Sequence, residues 1–198
     1  RQSIPASIIN NTRLTMTDDL IIRKLELTDN LCQVAHLIYY TDDYVFPYLY
    51  KDDINRSEDV IINMIKGDTI YNYKNITAAI LDGEIVGIVV SKETPISVNL
   101  GEMVRCFIDA NEPIDEHFTK TFNEYYKLFE NEPEGIYIAN VCVDKRYRGR
   151  GIGKRMMIEF MKELDGEAIQ RVLETEIPIL EESCFENNNY DYIKQLSE

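Results

Sequence analysis

Hydrophobic residues in the first third of the chain recur at the spacing of helices that bury one face. Leu20 to Leu27 resembles a strand, and Thr28 stands where a helix cap is expected. One face of that helix would carry Leu31, Val34, Ala35 and Ile38. Ser57 is expected to cap a second helix, with the acidic Glu58 and Asp59 in its first turn. The apolar face of this second helix would consist of Val60, Ile61, Met64 and Ile65.

The middle of the chain shows strand patterns. Ile76 to Leu81 and Glu84 to Val90 are predicted strands joined by Asp82-Gly83, because Asp-Gly between apolar runs indicates a two-residue hairpin. Lys92 to Gly135 is long for a link and should have structure of its own. A helical face there would carry Phe118, Phe122, Tyr125 and Phe129. Ile136 to Val143 is apolar almost throughout, as expected of a strand buried on both faces.

The last third predicts one clear helix and then shorter elements. The helix begins just after Gly151, and its apolar positions are Ile152, Met156, Met157, Phe160, Met161 and Leu164. Ala168 to Ile177 is expected to be a strand, Pro178 to Asn187 a short helix and Tyr190 to Leu196 a last strand. No internal repeat is visible, so residues 16–198 are expected to form a single domain. Residues 1–15 are polar and are expected to be an N-terminal extension, disordered or a leader.

The composition is that of an acidic globular protein. The 198 residues carry a formal net charge of −14, which argues against nucleic acid as a partner. The same acidity suits an amine substrate, or simply keeps the protein in solution. No apolar run approaches the roughly 18 residues of a membrane span, so no membrane partner is expected.

Cysteine and histidine are too scattered to predict a metal site. The chain has four cysteines and two histidines, namely Cys32, Cys106, Cys142, Cys184, His36 and His117. No two cysteines form a Cys-x-x-Cys pair, so we expect no metal, free thiols and a reducing cytoplasm. Neither histidine is expected to be catalytic, and Cys142 is expected to be a core residue rather than a nucleophile.

One segment is strongly basic, although the chain as a whole is acidic. Six basic side chains fall within eleven residues: Lys145, Arg146, Arg148, Arg150, Lys154 and Arg155. They interleave with Gly149, Gly151 and Gly153, between the apolar strand and the helix that follows it. Glycines let several backbone N–H groups converge on one point, and the start of a helix adds positive potential. The segment therefore predicts a turn that binds a phosphate or diphosphate.

Three phosphate-binding patterns compete for this turn. A Walker loop needs four residues between its glycines, whereas three separate Gly149 from Gly153, and Arg155 takes the place of its hydroxyl residue. A dinucleotide fingerprint would need its third glycine at Lys154. The run Arg148-x-x-Gly151-x-Gly153 after an apolar strand instead resembles the acetyl-CoA signature of the GNAT N-acetyltransferase superfamily.

The resemblance covers most of residues 19–196 and implies an α/β fold of known type. Its sheet is mixed and mostly antiparallel, with about six to seven strands and about four to five flanking helices. Acetyl-CoA lies where the fourth and fifth strands splay apart, and no metal is needed. The pantetheine would pair with the main chain of Val141, Cys142 and Val143. The diphosphate would meet the turn made of Arg148, Gly149, Arg150, Gly151, Ile152, Gly153 and Lys154.

The resemblance also implies a reaction. An acetyl group would pass to a primary amine of a small molecule or peptide by direct attack in a ternary complex. Asn140 and Tyr137, on the apolar strand, are the candidate catalytic residues. Family members often protonate the departing thiolate with a tyrosine, but Phe185 stands at that place. Either Tyr190 or Tyr192 serves instead, or release needs no side-chain acid, or the chain is a catalytically silent CoA-binding or regulatory module.

The acceptor would be bound by the loop from Thr41 to Tyr50, which resembles the acceptor loop of many bacterial members. Asp42 and Asp43 could attract an ammonium group against which Tyr44 packs. The alternative is a loop whose aromatic residues fill the core beside solvated acids. The resemblance is compatible with a monomer or a homodimer.

Overall fold

The computed structural model describes residues 19–41, 46, 53–97, 99–116, 118–120 and 134–164. The expected N-terminal extension, most of the acceptor loop and every element expected beyond Leu164 lie outside these residues. So does the predicted aromatic helical face after Phe118. Every helix in the described ranges is too short or too polar to cross a bilayer.

The centre of the molecule is an antiparallel sheet. In the described residues it has four strands, β1 (Ile21–Lys24), β2 (Ile76–Leu81), β3 (Glu84–Thr94) and β4 (Gly135–Val143), in the order β1-β2-β3-β4. The hairpin between β2 and β3 is confirmed, because Asp82 and Gly83 both have positive φ, 52° and 80°. The expected α/β class with an antiparallel sheet is therefore correct, and the described residues show four strands, which does not confirm the expected six to seven.

Four α-helices flank this sheet in the described part of the chain. They are α1 (Leu31–Tyr39), α2 (Ile54–Lys66), α3 (Leu100–Asp109) and α4 (Ile152–Glu163). Helix α1 lies on β3 and β4, α2 packs against α1, and α3 packs against α2. Helix α4 covers the opposite face of the sheet. The apolar faces predicted for α1 and α2 are buried, which confirms both helical patterns.

The predicted helix starts were wrong by a few residues. Asn30, not Thr28, caps α1, and its side chain accepts a hydrogen bond from the N–H of Gln33 at 3.3 Å. Asp53, not Ser57, caps α2, while Ser57 is fully buried inside that helix and donates to the carbonyl of Ile54. A cap is decided by which side chain reaches a free N–H, and several Ser, Thr, Asn and Asp residues competed at both starts.

Helix α3 was not predicted. It begins after Asn99, whose side chain accepts from the N–H of Glu102, and it buries Met103, Cys106 and Phe107. Phe107 packs edge-on against Phe118, with 4.5 Å between the ring centroids. The expectation that the long connection has structure of its own is thus correct, and Phe118 is buried as expected.

Strand β4 is less buried than its composition predicts. Only Asn140 and Cys142 are buried, and the other seven residues are half-buried. Within the described residues β4 is hydrogen-bonded to β3 alone, so it is the edge of the sheet. The prediction of a strand buried on both faces was therefore wrong here, because a continuous apolar run does not report how many neighbours a strand has.

Gly87 of β3 lies close to both α4 and the neighbouring strand β4. A Cβ added there would lie 2.6 Å from the Sδ of Met156 on α4 and 2.9 Å from the carbonyl oxygen of Cys142 on β4. The methionine side chain can move, but the carbonyl belongs to the paired strand. Glycine at this position therefore lets α4 pack closely on the β3–β4 pair.

We predict that Gly87→Ala lowers the free energy of unfolding by about 1–3 kcal/mol, because the added methyl group overpacks the contact with Cys142. Urea unfolding monitored by circular dichroism measures the change. Gly101→Ala is the matched control, since a Cβ at this helical position has its nearest neighbour at 3.6 Å. It should be neutral or stabilising by up to about 1 kcal/mol. Equal stability of Gly87→Ala and the wild type would contradict the close-packing interpretation.

Candidate active site

The turn after β4 is tied to the start of β3. The N–H of Asp144 donates to the carbonyl of Val86 at 2.9 Å, and the Asp144 side chain caps a short 3-10 turn over Lys145–Tyr147. The hydroxyl of Tyr147 donates to Glu84 at 3.0 Å. Three contacts from a short segment therefore fix where the following residues, Arg148 to Gly151, leave the sheet and enter α4.

Two glycines of this turn are required by the backbone. Gly149 and Gly151 both have φ of 74°, in the left-handed region that residues with a Cβ rarely adopt. Among the described residues, no atom lies within 4 Å of a Cβ built at either position, so a side chain there would meet no described neighbour. Gly153 differs, because a Cβ there would make an ordinary 3.5 Å contact with Val143. The predicted glycine turn is confirmed, with two of its three glycines needed for conformation.

The start of α4 presents unused backbone donors. Gly151 is the N-cap and has no side chain to bond the first N–H groups of the helix. The first α-helical hydrogen bond runs from the N–H of Arg155 to the carbonyl of Gly151, at 3.1 Å. Within the described part of the chain, the N–H groups of Gly149, Gly151, Ile152 and Gly153 have no acceptor. Such a concentration of donors at a helix start suits an anion.

The basic side chains contribute less directly than their number suggests. Arg146 pairs with Asp144 at 2.8 Å and lies 3.5 Å from Glu84. Arg148 turns back, and its Nε donates to the carbonyl of Val143 at 2.9 Å. The guanidinium of Arg150 lies 5.2 Å from the centre of the Tyr147 ring, whose other neighbour at 5.3 Å is Arg146. These arginines therefore stabilise the turn, a role that the linear charge pattern did not indicate.

Two acidic residues set the local electrostatics and were missed in the sequence. The hydrogen bond from Arg146 holds the pKa of Asp144 below its ordinary value, so this carboxylate stays charged. The hydrogen bond to Glu84 raises the pKa of the Tyr147 phenol, which therefore stays neutral. Glu84 stands far from the turn in sequence, and only the β3–β4 pairing brings it close.

Of the two candidate catalytic residues, Asn140 lies at an irregularity of β4. Val90 pairs with Asn140 and Ser91 pairs with Ile138, so Ala139 has no partner and forms a bulge. Asn140 is 5% exposed, and its Nδ2 donates to the Oγ1 of Thr41 at 2.9 Å. Tyr137 is half-buried and packs against the core beneath α1 and α2. Both side chains thus face the helical layer that leads into the predicted acceptor loop.

Several other predicted residues can be placed, and some cannot. Cys142 is buried in the core, as expected. The Nε2 of His36 lies 2.5 Å from a carboxylate oxygen of Glu58, which joins α1 to α2. The residues discussed for the predicted site that lie outside the described ranges are Asp42, Asp43, Tyr44, Phe185, Tyr190 and Tyr192, and His117, which was not expected to be catalytic, also lies outside them.

A separate groove lies at the far end of α4 from the turn. Its volume is about 690 Å³, and it is lined by the ends of β3 and α4, by Ile136 and by basic residues including Lys74 and Lys92. A twelve-residue helix is roughly 18 Å long, so the groove is well separated from Gly151.

The comparisons with known proteins agree with this architecture. The sequence matches the Acetyltransferase (GNAT) family over residues 39–184, more than half of the chain. The chain therefore belongs to the GNAT acetyltransferase family, which confirms the family expected from the glycine turn. Members of this family generally use acetyl-CoA. No curated protein matches the sequence.

Three solved structures are similar to this chain, and the one with a TM-score above 0.5 supports the fold. One described as an acetyltransferase has a TM-score of 0.51 and 20% identity, over 72% of this chain and 73% of its own. An N-acetyltransferase from Staphylococcus aureus Mu50 has a TM-score of 0.44 and 14% identity, over 73% of this chain and 76% of its own. An agmatine N-acetyltransferase variant in its apo form has a TM-score of 0.40 and 15% identity, over 74% of this chain and 70% of its own. At these identities the likeness concerns the fold alone.

The turn has the properties that a diphosphate ligand needs. Its donors are main-chain N–H groups, its glycines leave the approach open, and its neighbouring carboxylate is neutralised by Arg146. The residues present therefore fit coenzyme A at this position. Lys145, Arg150 and Lys154 add positive charge around the same turn.

We predict that Asp144→Asn removes a part of the stability that depends on pH. The folded-state pKa of Asp144 is depressed, so its contribution is present above the unfolded pKa of about 3.9 and is lost as the pH falls through the folded value. Asparagine still caps the turn, so the substitution isolates the charge. The difference in unfolding free energy between wild type and Asp144→Asn should be seen at pH 7 and disappear as the pH falls below the folded-state pKa of Asp144.

Denaturant unfolding across this pH range measures the difference. Arg146→Met removes the main cause of the pKa shift. In that background, Asp144→Asn should change the unfolding free energy at pH 7 by less than it does in the wild type. A difference that does not change between acid and neutral pH would contradict the role assigned to the Asp144 charge.

Proposed function

We propose that this chain is an acetyl-CoA-dependent N-acetyltransferase that acts on a primary amine of a small molecule or peptide. The observation that carries the proposal is the turn between β4 and α4, where two left-handed glycines expose a row of unused N–H groups. Membership of the GNAT family supports acetyl transfer as the chemistry. The primary amine and the mode of transfer are the parts that go beyond the family.

The cofactor would be held mainly by main-chain atoms. The diphosphate would accept hydrogen bonds from the N–H groups of Gly149 to Gly153, in the positive field at the start of α4. The side chain of Arg148 is bonded to the carbonyl of Val143, and we infer that its first role is to hold the turn. The pantetheine would pair with the main chain of Val141, Cys142 and Val143 on the side of β4 that faces away from β3, in the manner of an extra strand.

The reaction would be a direct transfer. The lone pair of the neutral amine attacks the thioester carbon, a C–N bond forms, and charge develops on the carbonyl oxygen. Backbone N–H groups beside the bulge in β4 would donate hydrogen bonds to that oxygen. The C–S bond then breaks, the sulfur takes one proton, and the new amide nitrogen loses one. Asn140 has no titratable group, so its part would be to orient substrate rather than to accept the proton.

The acceptor would approach from the side of α1. Thr41 follows the C-cap of that helix and is bonded to Asn140, and Asp42, Asp43 and Tyr44 come next in the sequence. Acidic side chains there would attract an ammonium group, in keeping with the acidic balance of the chain. Tyr137, on the same side of β4, would help to line the cleft.

One sequence feature supports a second candidate function. Phe185 occupies the position at which relatives often have a proton-donating tyrosine, and phenylalanine cannot donate a proton. A silent CoA-binding or regulatory module would have no need of that group. In an active enzyme, Tyr190 or Tyr192 would serve instead, or the thiolate would leave without a side-chain acid.

We predict that the purified chain binds acetyl-CoA in isothermal titration calorimetry and releases free thiol when a primary amine substrate is present. A panel of amines, with thiol detected by a chromogenic disulfide, tests both parts. Absence of binding at millimolar acetyl-CoA would overturn the cofactor assignment. Binding without thiol release over the whole panel would favour the silent module.

We predict that Gly151→Asp weakens acetyl-CoA binding by at least about a hundredfold, since it sets a carboxylate against the diphosphate. Gly151→Ala is the matched control. It has the same left-handed backbone cost, roughly 1–2 kcal/mol, without the charge, and it should retain most of the affinity.

Calorimetry on both folded variants measures the difference. Arg148→Ala should weaken binding less than Gly151→Asp, because the main-chain donors remain. Equal affinity of the Gly151→Ala and Gly151→Asp proteins would be incompatible with a diphosphate at this turn.

A further inference from the structure

Asn140 has a buried oxygen with no hydrogen-bond donor. The side chain is 5% exposed, and Nδ2 makes one hydrogen bond, to the Oγ1 of Thr41 at 2.9 Å. Among the described residues Oδ1 has no partner, although it is closed off from solvent. A buried acceptor without a donor destabilises the folded protein, and such groups are rare in native structures. The position of Asn140 therefore calls for a donor that the described residues do not supply.

The neighbouring hydrogen bonds fix which end of the amide is unpaired. The hydroxyl of Thr41 has a single proton, and it is directed at the carbonyls of Leu37 and Ile38, each 3.0 Å away. Oγ1 can therefore only accept from Asn140, and the amide must turn its NH₂ group toward it. Exchanging the two ends would set two acceptors against each other. The unpaired atom is an oxygen, and its ligand must bring a hydrogen.

The bulge in β4 decides where this oxygen lies. Because Ala139 is unpaired, Ala139 and Asn140 follow one another on the α1 side of the sheet, while Ile138 and Val141 pack toward α4. Asn140 also comes directly before the residues proposed to pair with pantetheine. A cofactor that extends from the Gly151 turn back along β4 would bring its thioester end beside Asn140.

We propose that Oδ1 of Asn140 accepts an N–H hydrogen bond from the acceptor amine and so holds the nitrogen lone pair toward the thioester. This inference rests on the proposed acetyltransferase function and names the group that binds the substrate nitrogen. An attacking primary amine keeps N–H groups after its lone pair has been directed at the carbonyl, and one of them meets the acceptor. Since Oδ1 has no open surface, neighbouring side chains must move when the amine binds.

The proposal predicts that loss of the Asn140 oxygen weakens amine binding without lowering stability. A purely structural role for Asn140 would not predict this combination. Asn140→Leu keeps the approximate volume and removes the unpaired oxygen, so its melting temperature should equal or exceed that of the wild type. The Michaelis constant of the amine should rise by about tenfold or more, as expected for loss of one hydrogen bond from a buried group. The affinity for acetyl-CoA should not change.

Two further variants make the comparison specific. Asn140→Asp keeps an acceptor oxygen and should have an amine Michaelis constant closer to the wild type than Asn140→Leu has. Asn75 is the matched structural asparagine, since its Nδ2 donates to the carbonyls of Thr69 and Ile70 at 3.3 Å and 3.0 Å. Asn75→Leu should lower the melting temperature and leave the Michaelis constant of the amine unchanged.

The experiment is steady-state thiol release with a primary amine chosen from the wild-type panel, together with thermal unfolding and acetyl-CoA calorimetry on each variant. A stable Asn140→Leu protein with a raised amine Michaelis constant supports the proposal. A wild-type Michaelis constant in a folded Asn140→Leu protein overturns it while leaving the acetyltransferase function intact. If the wild type binds acetyl-CoA but acetylates no amine, the proposed function fails, and this inference fails with it.

Discussion

The antiparallel pairing of β3 with β4 is the interaction on which the rest of the structure depends. Strand β3 is the longest strand described, and it carries α1 on one face and α4 on the other. The close approach at Gly87 allows α4 to pack on this pair. The same pairing brings Val86 and Glu84 to the turn that follows β4, where they bind Asp144 and Tyr147. The position of the candidate cofactor turn is therefore a consequence of the sheet.

The electrostatic character of that turn comes mainly from its backbone. The chain is strongly acidic, and the basic cluster is its clearest exception. Yet Arg146 is neutralised by Asp144, and Arg148 is bonded to the main chain of β4. What remains, within the described residues, is a set of N–H groups without acceptors in the turn shaped by Gly149 and Gly151. An anion-binding turn of this kind relies on peptide dipoles that the fold holds in place, and its arginines stabilise that arrangement.

The bulge in β4 has a comparable role on the other side of the sheet. It changes the alternation of side chains so that Asn140 faces α1 and Thr41. Within the described residues, only the Nδ2 end of the Asn140 amide then has a hydrogen-bond partner. A buried oxygen without a partner destabilises the folded protein, and functional sites retain such unfavourable groups. Asn140 therefore affects stability and, by our proposal, substrate binding. The two effects can be measured separately, because a substitution can remove the side-chain oxygen without changing the backbone.

The sequence by itself determined the elements whose signals are local. Spacing and backbone preference predicted the apolar faces of α1 and α2, the Asp82-Gly83 hairpin and the glycine turn before α4. The glycine turn in its strand–helix setting identified the family. Only the tertiary structure decided the helix caps, the exposure of β4 and the partners of the arginines. Glu84 and Thr41 lie far along the chain from Tyr147 and Asn140, and a contact between distant residues depends on strand register and helix packing. No periodicity in a single sequence encodes those quantities.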